Sequence, residues 1–377
     1  MMNVTNPFVL SGRIPRELFC DREEETRRLI QLLTNGHNVL LISQRRMGKT
    51  GLIYHCFDYP ELKDEFNTIF VDILQTTSLQ EFTFLLGKAV FDSLTQGPKK
   101  WLSKFVETLK SLSGKFSFDT VTGAPSFTIQ LGDIVNPTYT LEEIFEFMER
   151  SPRPCIVAID EFQQITTYPE KNVEALLRTH IQRYCNCKFI FAGSSHHIIS
   201  EMFTYPNRPF YHSASQLPLG PIKMEVYTEF VIRQFERFGK TVGKEAVEHV
   251  YRQFGGVTYY MQAVFNEAFY QTPQQGHCDE SGIETAIDTI LEAGSYVNRE
   301  VLSALSIRQK ELLVAIAKEG SVKGITSADF IKRHGLVSAS SVQNALKKLE
   351  GANIVVRNEG EYSVANRFLA LWLQKTY

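Results

Sequence analysis

Apolar residues form four short continuous runs: "NVLLIS" from Asn38, "NTIFVDI" from Asn67, "CIVAID" from Cys155 and "KFIFAGSS" from Lys188. Runs of this length bounded by turn residues predict strands buried on both faces. Between them the spacing turns helical. "REEETRRLIQLLT" (22–34) sets Leu29, Ile30, Leu32 and Leu33 after a charged first turn and stops at Asn35-Gly36. "GLIYHCFD", "SLQEFTFLLGKAVFDSL", "TLEEIFEFMERS" and "NVEALLRTHIQRYC" read the same way. Strands alternating with helices predict an α/β fold, a mostly parallel sheet with helices on both faces, with ligands bound at the carboxyl ends of the strands.

Residues 115–131, "KFSFDTVTGAPSFTIQL", alternate apolar and polar around Gly-Ala-Pro. They predict a β-hairpin inserted at the sheet edge, with Phe116 and Phe118 facing Phe127 and Ile129. From about 223 to 300 the pattern is wholly helical. In the last 77 residues, "LSIRQKELLVAIAKEG", "TSADFIKRHG" and "SASSVQNALKKLEGANIV" predict three helices, and "IVVRN" with "EYSVA" two strands. Val342, Ala345, Leu346 and Leu349 form the buried stripe of the third helix. Its other face carries Ser340, Ser341, Gln343, Asn344, Lys347 and Lys348, groups able to reach base edges and phosphates. This order is similar to a winged helix-turn-helix. The same scaffold also serves as a protein contact. The expected division is 1–222 for the α/β core, 223–300 for a helical lid and 301–377 for the winged helix.

A chain of 377 residues exceeds one ordinary core and suits two or three domains. No apolar run approaches the roughly 20 residues that span a bilayer, and the N-terminus lacks a signal-peptide layout, so the expected location is cytoplasmic with no membrane partner. Six cysteines without a CxxC pair are expected to be thiols. The net charge of −2 hides an asymmetry: 301–377 holds 11 Lys+Arg against 6 Asp+Glu, or +5, whereas the remainder holds 29 against 36, or −7. A basic C-terminal module fits an anionic partner such as double-stranded DNA.

The chemistry concentrates at two strand ends. "SQRRMGKT" (43–50) follows the first strand and precedes a helix, the context of the phosphate-binding pattern GxxxxGK[ST]. Gly48, Lys49 and Thr50 keep its second half; Ser43 stands where the first glycine is usual. Ser43 is tolerable if that position needs no positive φ, and Arg45 and Arg46 add anion attraction. "CIVAIDEFQQI" ends a strand in Asp160-Glu161, two carboxylates whose repulsion a divalent cation would relieve. Asp160 is expected to hold Mg²⁺ and Glu161 to activate the attacking water. "KFIFAGSS" ends in Ser194 and Ser195, hydroxyls placed to sense a phosphate. His196 and His197 lack a third ligand at suitable spacing and are read as surface residues.

The ordered set "CDREEETRRL", "SQRRMGKT", "CIVAIDEFQQI", "FIFAGSS", "LPLGPI" and "FGGVTYYMQ", closed by a winged-helix-like tail, resembles the archaeal-type ATPases of the AAA+/STAND class of P-loop NTPases. The resemblance implies ATP or ADP with Mg²⁺ as ligand, phosphate-loop and acidic strands side by side, and a helical lid. It implies a loop of Ser43, Gln44, Arg45, Arg46, Met47, Gly48, Lys49, Thr50 and Gly51, with Lys49 on the β- and γ-phosphates. Thr50 and Asp160 would serve Mg²⁺, Glu161 the water, and Ser194 the sensor role. Phe19, Asp21 and Arg22 match a segment close to the adenine, and Gly255-Gly256 would bring the lid to the nucleotide. The usual Tyr-Gly-Arg-like element is replaced by "RPFYHSAS", in which Arg208 is the candidate for the transition-state cation. The reading is a slow or partner-stimulated ATPase, a switch that moves the winged helix, alone or as a homo-oligomer or with a protein partner. The alternatives are a DNA-binding regulator with a vestigial nucleotide site and an ADP-holding signalling scaffold.

Overall fold

The computed structural model describes residues 6–94, 99–112, 117–118, 125–126, 129–358 and 360–377. They divide into two compact units, Ser11–Ile222 and Lys223–Tyr377, the latter joined by residues 6–10.

The first unit is built on five parallel strands, β1 (Val39–Ile42), β2 (Asn67–Asp72), β3 (Cys155–Asp160), β4 (Cys187–Gly193) and β5 (Ser215–Pro218). Their order across the sheet is β2-β3-β4-β1-β5. The continuous apolar runs arise because alternate side chains enter two different cores. Leu40, Ile42, Val157, Ile159, Phe189 and Phe191 pack with helices Leu79–Leu94 and Pro137–Glu149 through Phe82, Leu86, Ile144 and Phe145. Val39, Leu41, Ile156, Ala158, Ile190 and Ala192 instead meet Leu29 and Leu33 of α1 (Glu23–Thr34) and Leu52 and Ile53 of α2 (Lys49–Phe57).

The phosphate-loop and acidic strands are not side by side. β1 pairs with β4 and β5, and β3 with β2 and β4, so the strand that ends at Ser194 lies between the other two. β5 gave no strand signal, being four residues with a proline; it adds to β1 through backbone pairing, as an edge tolerates. Helix Lys99–Thr108 also lay outside the predicted set. Within the expected hairpin, Ser117–Phe118 pairs antiparallel with Pro125–Ser126; Phe116 and Phe127 lie outside the described residues. None of the six cysteines forms a disulfide.

The second unit joins the helical segment to the winged helix. Tyr260 Oη donates to the Ala365 carbonyl at 3.2 Å and accepts from Arg367 N at 3.1 Å, while Phe368 packs on Phe254 and Tyr260. The segment is not wholly helical: Thr241–Val242 pairs in parallel with His277–Cys278. Helices Ile307–Glu319, Ala328–Arg333 and Ala339–Gly351 precede the antiparallel pair Val355–Asn358 and Glu361–Val364. A last helix, Arg367–Thr376, was not anticipated; its N-cap Asn366 accepts from Phe368 N. No helix among the described residues is long and apolar enough to cross a membrane.

Phe8 is the N-terminal anchor of this unit. It is fully buried among Phe230, Phe235, Phe265 and Phe269; the Asn6 side chain donates to the Asn266 carbonyl and the Asn266 side chain to the Phe8 carbonyl. Phe8→Ala is expected to cost the second unit about 3–5 kcal/mol; chemical denaturation followed by hydrogen exchange in Thr258–Gln271 reads it, and parental protection there would contradict the anchor.

His180 is buried between Phe145 and Tyr184, ring centroids 5.1 and 6.1 Å away, with neither nitrogen hydrogen-bonded. Burial depresses its pKa below the ordinary 6.5. The unfolded chain therefore takes up the proton first, so the stability His180 contributes is complete above about pH 6.5 and declines as pH falls below it. His180→Phe should flatten the fall of the unfolding free energy between pH 7 and 5, read by urea titration, by up to ~1.4 kcal/mol per pH unit; an unchanged slope would contradict this.

Candidate nucleotide site

The octapeptide 43–50 connects β1 to α2 at the carboxyl edge of the sheet. Its left-handed positions are Arg46 (φ 69°) and Gly48 (φ 86°). Ser43 is not among them, which explains why a serine stands where glycine is usual: it is buried and its hydroxyl donates to the Gln44 carbonyl at 2.9 Å. Gly48 is the N-cap of α2 and supplies no side-chain cap. The first N–H groups of the helix are thus left for an anion.

Lys49 and Asp160 are both buried, and Thr50 Oγ1 donates to Asp160 Oδ2 at 2.6 Å. Burial pushes the Lys49 ammonium down; the Asp160 and Glu161 carboxylates push it back up, and Arg45 lowers it further. Asp160 is pushed up by burial, against the Thr50 hydrogen bond. Each shift follows from charge held with little water, which favours an added ligand that matches both signs. Asp160 Oδ1 also accepts from Glu161 N at 3.0 Å, fixing the turn after β3.

Glu161 has left-handed backbone (φ 57°), a strained state for a non-glycine residue that recurs at functional sites. Its Oε2 accepts from Ser194 N at 3.2 Å, Ser194 Oγ at 2.7 Å and Gln163 Nε2 at 2.5 Å. Arg45 Nε in turn donates to Ser194 Oγ at 3.1 Å. Ser194 therefore bridges the loop after β1 and the acids after β3, a consequence of β4 lying between those strands. Sequence reasoning missed Gln163; its signal was the "DEFQ" string, two residues beyond the acid.

The remaining candidates divide. Phe19 stacks on His55 of α2, 4.1 Å between centroids, and a Cβ at Gly51 would meet its ring at 3.4 Å, so Phe19 lies against the helix that follows the loop. Arg22 is a clamp: buried, it donates to the Met47 carbonyl at 3.0 Å, the Gly220 carbonyl at 2.8 Å and Glu25 at 2.9 Å. Met47 is buried, and Gln44, Arg45 and Arg46 are exposed. Arg208 is engaged elsewhere, with Glu174 at 2.6 Å and Glu201 at 3.5 Å, not on the Lys49 group. Its position five residues before Ser213 could not reveal those partners. Gly256 (φ 71°) follows Gly255 in the second unit, in the turn from helix Lys244–Phe254 to helix Thr258–Gln271.

A family model described as an ATPase domain predominantly from Archaea matches residues 19–264. The chain belongs to this archaeal ATPase family. A winged helix domain model matches residues 296–375 of the same ATPase chain. Among solved structures it is similar to a Walker-type ATPase of Pyrococcus abyssi, with 21% identity, 98% of this chain and 99% of that chain covered, and a TM-score of 0.66. The Aeropyrum pernix ORC2 protein, solved as ADPNP-ADP complexes, aligns with 16% identity over 98% and 95% at a TM-score of 0.60. The Aeropyrum pernix ORC1 protein in complex with DNA aligns with 14% identity over 99% and 97% at 0.53. At these identities the structures establish the shared fold. No curated protein sequence matches.

Arg22→Ala would leave the Met47 and Gly220 carbonyls without this donor. The expected result is a loss of about 2–4 kcal/mol in the stability of Ser11–Ile222, read by urea titration; an unchanged midpoint would contradict the clamp.

Proposed function

We propose that the chain binds ATP at the β1–α2 loop and hydrolyses it slowly or on stimulation by a partner. The observation that carries this reading is the convergence of Lys49, Thr50, Asp160 and Glu161 at one edge of the sheet. Lys49 and the N–H groups of the loop and helix bind the phosphate oxygens. Thr50 and Asp160 are hard oxygen donors held 2.6 Å apart, and they fit Mg²⁺, which takes one or two protein oxygens and completes its shell with water and phosphate. When bound, Mg²⁺ supplies charge neutralisation on the phosphate oxygens. Glu161 accepts the proton of the attacking water, and Ser194 exchanges its bonds to Glu161 and Arg45 for one to the γ-phosphate. Phe19 borders the base. The pairing of Arg208 with two glutamates supports slow basal turnover, because the transition-state cation then has to come from a protein partner or a second copy of the chain.

The output we assign is movement of the 223–377 unit. Because the helical segment and the winged helix share the Tyr260 and Phe368 contacts, they would travel as one body. Helix Ala339–Gly351 exposes Ser340, Gln343, Asn344, Lys347 and Lys348, a face suited to double-stranded DNA.

Lys49→Ala should weaken ATP binding by about a hundredfold or more. Glu161→Gln should retain ATP while kcat falls by roughly 10² or more. Equilibrium binding and single-turnover hydrolysis measure both; tight binding by Lys49→Ala or parental hydrolysis by Glu161→Gln would contradict the assignment.

A further inference from the structure

Gln163 has no part in the reading above, yet its side chain is held tightly at the site. It lies on the 3-10 turn Phe162–Thr167 and is buried. Its amide nitrogen donates to Glu161 Oε2 at 2.5 Å, while its buried amide oxygen makes no hydrogen bond. The opposite amide orientation would aim the oxygen at a carboxylate, so charge fixes which end faces Glu161. Gly193 makes room for it: a Cβ there would lie 2.1 Å from Gln163 Oε1 and 2.8 Å from Ile199 Cδ1. A packing role alone would be met by an apolar side chain of the same length. The unpaired oxygen destabilises the fold locally, and the amide nitrogen on the carboxylate is what accompanies it.

We propose that Gln163 is the positioning residue for Glu161, an inference that rests on the reading of Glu161 as the water-activating base. A carboxylate oxygen carrying three donors has its lone pairs occupied, so the anchored Oε2 leaves Oε1 to take the proton. In the step itself, the water oxygen forms a bond to the γ-phosphorus. The bond from that phosphorus to the bridging oxygen breaks, its electron pair leaves with ADP, and the water's proton goes to Oε1. When the Ser194 hydroxyl turns to the phosphate, the Gln163 amide and the Ser194 N–H keep the carboxylate in place. Gln163 acts through Glu161 and touches no reacting atom.

The test uses the full chain. Gln163→Met fills the same space over Gly193, carries no donor and removes the unpaired oxygen. The expected result is an ATP Kd within about twofold of the parent, a Tm equal to or above it, and a single-turnover rate lowered about tenfold. A purely structural residue would instead move rate and Tm together. Glu161→Gln is run alongside. If it hydrolyses ATP at the parental rate, the base reading itself fails. If it is inactive while Gln163→Met keeps the parental rate, or loses rate only in step with Tm, the positioning role is overturned and the base reading stands.

Discussion

The structure depends on a buried ammonium and a buried carboxylate sharing one corner of a parallel sheet. Stripping a charged group of water costs several kcal/mol, which a nearby opposite charge offsets in part. Asp160 and Lys49 both carry the mark of burial in the direction of their pKa shifts. Such a site suits a ligand that brings anionic oxygens to the lysine and a cation to the carboxylate. The Thr50 hydroxyl already donates to that carboxylate.

The sheet order converts that corner into a circuit. With β4 between β1 and β3, Ser194 reaches Arg45 on the loop side and Glu161 on the acidic side through one hydroxyl. Side-by-side loop and acidic strands would have left no residue in that position. The strained turn at Glu161 and the glycine at 193 then admit the Gln163 amide, so the carboxylate is oriented by groups from two neighbouring strand ends. Behind the loop, Arg22 fixes the Met47 carbonyl, so the loop's shape is set by a buried side chain from the start of α1 as well as by Gly48.

Much of this was legible in the sequence where burial imposes a pattern. The strands Val39–Ile42, Cys155–Asp160 and Cys187–Gly193 read as apolar runs because both faces are covered, whereas Asn67–Asp72, expected to be buried on both faces, is an edge strand buried only at Ile69 and Val71; the loop and acid motifs read because their chemistry restricts residue type. The edge strand Ser215–Pro218 did not read, since pairing to β1 rather than side-chain burial holds it. Phe8 is one aromatic in an irregular segment; only the four phenylalanines around it, more than two hundred residues away in sequence, define its role. The partners of Arg22, the Met47 and Gly220 carbonyls, were not legible, and Arg208, a candidate cation, is held by two glutamates. Long flexible cations find partners through tertiary placement that spacing does not encode. The Arg367–Thr376 helix carried its own signals, the Asn366 cap and the Leu369, Ala370, Trp372 and Leu373 face, and was readable on those grounds.

On the proposed reading, the Lys49 and Asp160 corner takes up a nucleotide together with a divalent cation. Calorimetric titration of ATP into the full chain, with Mg²⁺ and again with excess EDTA, tests it most directly. The expected result is one site per chain whose affinity drops by about tenfold or more without Mg²⁺, and a much smaller drop in Asp160→Asn. Absence of binding heat under both conditions, or an affinity indifferent to Mg²⁺ in the parent chain, would contradict it.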